Sequence, residues 1–198
     1  MPPILLFKRE FIADVADCRA LFRHCLNPVG VHSEAGVEAA FLQMFKSWES
    51  LLEDCTVSFL CGRLRCDGKM VKCDALIKSE DIARALLYQD RNYIEWTDID
   101  KVLDRWERIF APANLLEAAV RGAKGELRQL TTVRNAIAHA SPAAEQKFSK
   151  LIRDQFGGVR KMKRPATFLQ EQYPPDPAKT FFDRYADVLE TAGLQLTG

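Results

Sequence analysis

The sequence lacks any apolar run close to the roughly 20 residues that a membrane-spanning helix needs, which excludes an ordinary helical membrane protein. It also lacks net charge. Its 28 Lys+Arg against 27 Asp+Glu leave +1, so the chain as a whole is no polycation. No Gly-x-Ser-x-Gly, P-loop or Gly-x-Gly-x-x-Gly motif occurs, so the signatures of serine hydrolases, P-loop nucleotidases and dinucleotide-binding enzymes are missing. The opening Met1-Pro2-Pro3-Ile4-Leu5-Leu6-Phe7-Lys8-Arg9-Glu10 has no basic stretch ahead of its short apolar one, unlike a secretory signal. The expectation is therefore a cytoplasmic protein without membrane attachment, whose six cysteines are reduced thiols.

What is present is enough apolar material for a substantial core, 47% of 198 residues, arranged mainly with helical periodicity. Val37, Phe41, Met44, Trp48, Leu51, Cys55 and Phe59 recur at steps of three and four, the stripe of one long helix. Ser33-Glu34 would open it and Asp67-Gly68 would close the segment. A shorter stripe of Phe11, Val15, Cys18, Phe22 and Cys25 stops at Asn27-Pro28. Ser79-Glu80-Asp81 and Thr97-Asp98 open two further helices, the second running through Ile109. Leu127, Leu130, Val133 and Ile137 mark another that ends near Ala140. Ser141-Pro142 begins the next, with Ser as cap and Pro at the first helical position, and Gly157-Gly158 ends it. Asp176-Pro177 is read in the same way as the start of a last helix ending at Gly193. Only Cys66 to Lys78 has room for a small strand pair, and the proline-rich stretch Arg160 to Pro177 reads as a linker. The fold expected is all-α: an antiparallel helical bundle over residues 1–158, then a basic, proline-rich linker and a C-terminal helix over 159–198, docked on the same domain.

The neutral total hides an asymmetry. Between Arg121 and Gln170 lie eleven cations and three anions, an excess of eight that the remainder of the chain offsets. A local basic surface suits a phosphate backbone, because counterion release drives that association. Arg128, Lys147, Arg160, Lys161, Lys163 and Arg164 are the candidate RNA contacts; a solvated basic edge without a ligand is the alternative. Cys61, Cys66 and Cys73 stand four and six residues apart, counted as intervening positions, with no second cysteine knuckle after them. That favours buried or half-buried thiols over zinc, and no metal or cofactor is expected. His24 and His32 read as surface residues.

His139 differs because of its surroundings, Val133-Arg134-Asn135-Ala136-Ile137-Ala138-His139-Ala140-Ser141-Pro142. Three alanines thin the surface around a guanidinium and an imidazole, so a ligand or a partner backbone can approach. Pro142 disfavours helical geometry at Ser141, which puts His139 in the last turn of its helix. The helix that follows begins two residues later, with N–H groups able to receive a phosphate oxygen. Arg134 and His139 are five residues apart, about 140° around a regular helix, so their side chains do not simply stack on one face.

Arg134-Asn135-Ala136-Ile137-Ala138-His139 resembles the R-x4-6-H motif of the HEPN superfamily (higher eukaryotes and prokaryotes nucleotide-binding). Ala39-Ala40-Phe41-Leu42-Gln43-Met44-Phe45-Lys46-Ser47-Trp48-Glu49 is similar to the long second helix of HEPN groups that carry an aromatic and Trp-Glu signature. The resemblance spans roughly residues 5 to 156. It implies a metal-independent endoribonuclease that uses the RNA 2′-hydroxyl and leaves a 2′,3′-cyclic phosphate. Arg134 would hold the scissile phosphate, His139 would act as general base or acid, and Asn135 would orient one of them. The resemblance further implies a homodimer with two such motifs around one cleft, and a toxin–antitoxin or antiphage setting with an antitoxin or another defence protein as partner. A non-catalytic HEPN binding or adaptor module, and an unrelated helical interaction scaffold, are the competing functions.

Overall fold

The computed structural model describes residues 3–26, 33–62, 65–66, 69–70, 77–88, 95–110, 115–139, 141–158 and 164–198. Among these the protein is predominantly α-helical: α1 (Pro3–Leu26), α2 (Ser33–Leu60), α3 (Glu80–Tyr88), α4 (Ile99–Ile109), α5 (Leu115–Arg121), α6 (Lys124–Ala138), α7 (Pro142–Phe156), α8 (Pro165–Gln170) and α9 (Phe181–Thr197). Two short antiparallel pairs accompany them, β1 (Arg65–Cys66) with β2 (Lys69–Met70), and β3 (Gln172–Tyr173) with β4 (Asp176–Thr180). No helix among the described residues is long and apolar enough to cross a membrane.

The chain divides into two compact units. One comprises residues 1–12, 48–125 and 190–198, the other 13–47 and 126–189, so α1, α2 and α9 each contribute a part to both. The α2 stripe runs through both units, and all seven of its predicted core residues are 2% exposed or less. In the first unit Trp48 lies 6.1 Å from Phe11, and Phe59 meets Phe110 edge-on at 6.0 Å. The last turn of α2 is buried all round. Thr56 is accommodated there because its hydroxyl donates to the Leu52 carbonyl at 2.6 Å and accepts the Trp106 indole N–H at 2.9 Å. A buried hydroxyl without such partners would be costly. The helix ends at Leu60, with Gly62 in the left-handed region at φ 62°, several residues before the expected Asp67-Gly68. The strand pair expected near Met70 is reduced to β1 and β2; Val71 and Cys73 lie outside the described residues.

The second unit is built on aromatic packing. Phe22 stacks on Phe182 with centroids 4.2 Å apart and planes within 4°, while Phe168 lies 4.3 Å from Phe181. Phe148, Phe156 and Tyr173 each meet Phe168 or Phe181 edge-on. Each such pair contributes about 0.5–1.5 kcal/mol beyond the area it buries. Phe168 sits on α8, within the stretch expected to be a linker. Pro165 instead starts a helix there, and Ala166, Phe168 and Leu169 are fully buried.

Asp176-Pro177 does not open α9. Asp176 Oδ1 accepts from the Ala178 N–H and the chain stays extended as β4. The helix begins after Thr180, whose hydroxyl accepts the Asp183 N–H at 3.1 Å, while the Asp183 carboxylate accepts the Thr180 N–H at 3.3 Å. This reciprocal cap satisfies two of the otherwise orphaned donors at a helix start. Gly193 does not end α9 either. A Cβ there would lie 2.5 Å from Phe11 Cε1, so the glycine serves a close helix approach and α9 continues to Thr197.

Candidate functional site

The last turns of α6 and the residue that follows it carry the Arg134, Asn135 and His139 cluster. Leu127, Leu130 and Val133 pin the inner face of α6 in the second unit, each 2% exposed or less. Arg134, seven residues after Leu127, occupies the same angular position two turns on. It is half-buried where the helix nears its end, whereas His139 is exposed. The helix stops at Ala138. The His139 N–H donates to the Asn135 carbonyl at 2.9 Å, and the His139 carbonyl accepts the Ser141 N–H at 2.9 Å. Ser141 is extended (φ −117°, ψ 145°) and its hydroxyl accepts the Ala144 N–H at 3.3 Å, capping α7 with Pro142 at its first position. The start of α7 at Ser141-Pro142 is as expected, whereas α6 ends at Ala138 and leaves His139 one residue beyond the last turn in which it was expected; Gly157 at φ 66° ends α7.

The 140° offset between positions 134 and 139 does not keep their side chains apart, as a regular helix would suggest. Arg134 Nη1 stands 3.1 Å from His139 Nε2 and also donates to Asn135 Oδ1 at 3.2 Å. The reason is local. His139 has left the helix by one residue, and the long arginine side chain reaches along the axis to meet it. The cluster therefore closes within one chain, and the angular offset gives no argument for a two-fold composite site. No carboxylate among the described residues pairs with Arg134.

The candidate RNA contacts fare unequally. Arg128 is exposed, seven residues before Asn135, hence on the same face of α6. Lys147 is exposed on α7, as are Lys150 and Arg153. Arg160, Lys161 and Lys163 lie outside the described residues. Arg164 is exposed but forms an ion pair with Glu34 in the first turn of α2. One turn along, Glu38 accepts the Ala166 N–H at the start of α8; burial pushes its carboxyl up, and that hydrogen bond partly opposes the shift. These two carboxylates, four residues apart on α2, answer the basic stretch. The sequence signal was available as the i, i+4 pair, but nothing local named its partner.

A second polar cluster, in the first unit, escaped the sequence reading. Glu53 accepts from Arg84, from the Tyr88 hydroxyl at 3.1 Å and from the Trp96 indole at 3.2 Å, while Asp54 also takes Arg84 at 2.9 Å. Glu49, of the Trp-Glu signature, accepts the Thr97 hydroxyl at 2.6 Å. These carboxylates have their lone pairs engaged by groups 30 to 48 residues away in sequence. They read as fold-holding rather than catalytic.

Of the cysteines, Cys18 and Cys55 are buried, Cys25 and Cys61 half-buried, and all four are free thiols. Burial, reinforced by the charges of Asp14 and Asp17, pushes the Cys18 thiol up to about 11. Among the described residues no three His, Cys, Asp or Glu side chains cluster as metal ligands would, and the side chains of Cys66 and Cys73 lie outside that set. His24 is exposed on α1, and His32 is outside the described residues. Compared with protein-family models, curated proteins and solved structures, the chain finds no match.

Proposed function

We propose that the protein is a HEPN-type endoribonuclease that needs no metal ion and cleaves RNA through its 2′-hydroxyl. The observation that carries this reading is the 3.1 Å approach of Arg134 to His139 at an exposed helix end. His139 Nε2 takes the proton of the 2′-hydroxyl, O2′ bonds to phosphorus, and the P–O5′ bond breaks. The departing O5′ takes up a proton from an imidazolium or from water, giving a 2′,3′-cyclic phosphate and a 5′-hydroxyl. Imidazole suits both transfers because the same ring nitrogen can accept a proton as a lone pair and return it as an N–H. Arg134 offers a planar fork to two phosphate oxygens and offsets the charge that builds on them. Asn135 holds the guanidinium. The N-terminal end of α7, joined to His139 by a single tight turn, adds a favourable field for an anion. DNA is inert on this reading because it lacks the nucleophile.

The wider parts of the proposal rest on the family resemblance alone: a cytoplasmic homodimer acting in a toxin–antitoxin or antiphage setting with a protein partner. A non-catalytic RNA-binding module is the second reading. It is favoured by the same contact, since Arg134 Nη1 is already engaged by its two neighbours. The test is incubation of purified protein with tRNA and mRNA in excess EDTA, alongside Arg134→Ala and His139→Ala. Cyclic-phosphate products from the parent, and a loss of about 10²-fold or more in each variant, support the nuclease. Equal cleavage by all three proteins assigns the activity to a contaminant. RNA binding without cleavage leaves the binding module.

A further inference from the structure

The closed geometry of the cluster bears on which nitrogen of His139 carries the proton. A guanidinium has five N–H donors and no acceptor, so Arg134 Nη1 can hydrogen-bond His139 Nε2 at 3.1 Å only when Nε2 presents a lone pair. A neutral imidazole has one donor and one acceptor nitrogen, so its proton is then on Nδ1. The arrangement is held from three sides. The His139 N–H is tied to the Asn135 carbonyl, Asn135 Oδ1 takes the other hydrogen of Nη1, and Ser141 fixes the His139 carbonyl. The same residue thus supplies both the backbone anchor for the imidazole and the side-chain anchor for the guanidinium.

We infer that Arg134 has a second, positioning role: by donating to Nε2 it keeps the His139 proton on Nδ1 and covers the basic nitrogen until a phosphate draws the guanidinium away. The second half of this inference rests on the phosphate-binding reading given above; the first half does not. A phosphate oxygen is the stronger acceptor, because it meets the guanidinium as an anion and can take both prongs of its fork, whereas the neutral imidazole offers one uncharged lone pair. Arrival of a phosphodiester therefore moves Nη1 from imidazole to phosphate. Nε2 is uncovered at the moment when a 2′-hydroxyl is delivered beside it. Water, which brings no competing negative charge, leaves the contact closed. The site then rests with its base covered, and the substrate class that opens it is a phosphodiester or another phosphate anion.

The tautomer is directly observable. Long-range 1H–15N spectra of labelled protein, at a pH about two units above the ordinary imidazole value, should show His139 mainly as the Nδ1–H form. The isolated side chain favours Nε2–H. Arg134→Ala should move the ratio toward Nε2–H by about tenfold, the lower end for one hydrogen bond to a charged group. Arg134→Lys, which restores a donor without the fork, should recover part of it. In the parent protein, inorganic phosphate and a fully 2′-O-methylated RNA octamer should each move the ratio in the direction of Arg134→Ala. That arm needs no variant to fold. Nε2–H dominance in the free parent, or a ratio unchanged by Arg134→Ala, overturns the positioning role. A ratio indifferent to both phosphate probes overturns the uncovering step. RNA cleavage without an Arg134-dependent tautomer keeps the nuclease and removes this inference; an Arg134-dependent tautomer without cleavage does the reverse.

Discussion

The two polar clusters, one around Glu53 and the other around Arg134, are built on opposite plans. Glu53 is an anion surrounded by three donors, Arg84 and Tyr88 of α3 and Trp96 ahead of α4, all brought from far along the chain. Arg134 is a cation whose partners are the adjacent asparagine and a histidine five residues on, with an exposed imidazole and no carboxylate partner among the described residues. In the first case charge is neutralised inside the protein and the product is a fixed tertiary arrangement. In the second, the guanidinium is held by uncharged neighbours and no carboxylate among the described residues neutralises it. Several cations elsewhere are paired: Arg19 with Asp187 at 2.7 Å, Lys179 with the same carboxylate, Arg184 with Glu126 at 2.8 Å, Lys124 with Asp100 at 2.7 Å. The Arg134 guanidinium has no such carboxylate among the described residues and is held by Asn135 and His139 instead.

The largest test of this contrast is functional. His139→Ala should lower RNA cleavage about 10²-fold or more and barely move the thermal midpoint, because the ring is exposed. An inactive variant that is also strongly destabilised would place His139 with Glu53 among the fold-holding residues. Glu53→Ala should do the converse. It leaves Arg84, Tyr88 and Trp96 without their common acceptor and should cost about 2 kcal/mol of stability, read by denaturant unfolding, with RNA cleavage at low temperature retained.

A smaller effect belongs to the turn between the clustered residues and α7. Ser141→Ala removes the cap on the Ala144 N–H and should cost about 1 kcal/mol, measured as a lower thermal midpoint. If the capped turn positions His139, cleavage should fall by more than that stability loss explains. The smallest expectation is electrostatic. Burial acts against the Asp187 charge, but hydrogen bonds from Lys179 and Arg19 outweigh it and hold the carboxyl below its usual range. A depressed folded value means the stabilisation is fully present above the ordinary aspartate pKa, about 3.9, and is lost as pH falls through the folded value. Asp187→Asn should therefore flatten the acid limb of a stability–pH curve below about pH 4 and change little at neutral pH.

Legibility in the sequence followed the range of the interactions. The α2 stripe, the stop of α1 before Asn27-Pro28, and the start of α7 at Ser141-Pro142 are local patterns, and each is where it was expected. Asp176-Pro177 carried the same local signature as Ser141-Pro142 yet led into β4, because pairing with β3 and the Thr180–Asp183 cap compete for that segment. Pro165 looked like part of a linker because the burial of Phe168 depends on Phe148, Phe156 and Phe181, none of them near it in sequence. The Glu53 cluster was invisible for the same reason. Arg134, Asn135 and His139 were identifiable as residue types in a pattern. Their contact was not, since it depends on the single residue by which His139 oversteps the end of α6.

The junction between β4 and α9 contains no intervening residue: Thr180 ends the strand, caps the helix, and hands the chain to Phe181. Such a joint has no slack to absorb a change of length. One residue inserted there would turn everything after it by about 100°, carrying Phe181, Phe182 and Tyr185 away from the rings they now face. Length variation is therefore tolerated poorly at this point and selection should act on chain length as strictly as on residue identity. An engineer seeking a place to splice a tag or a second module into the protein should look elsewhere, at Gly157-Gly158, where α7 has already ended in a left-handed turn and both glycines are exposed.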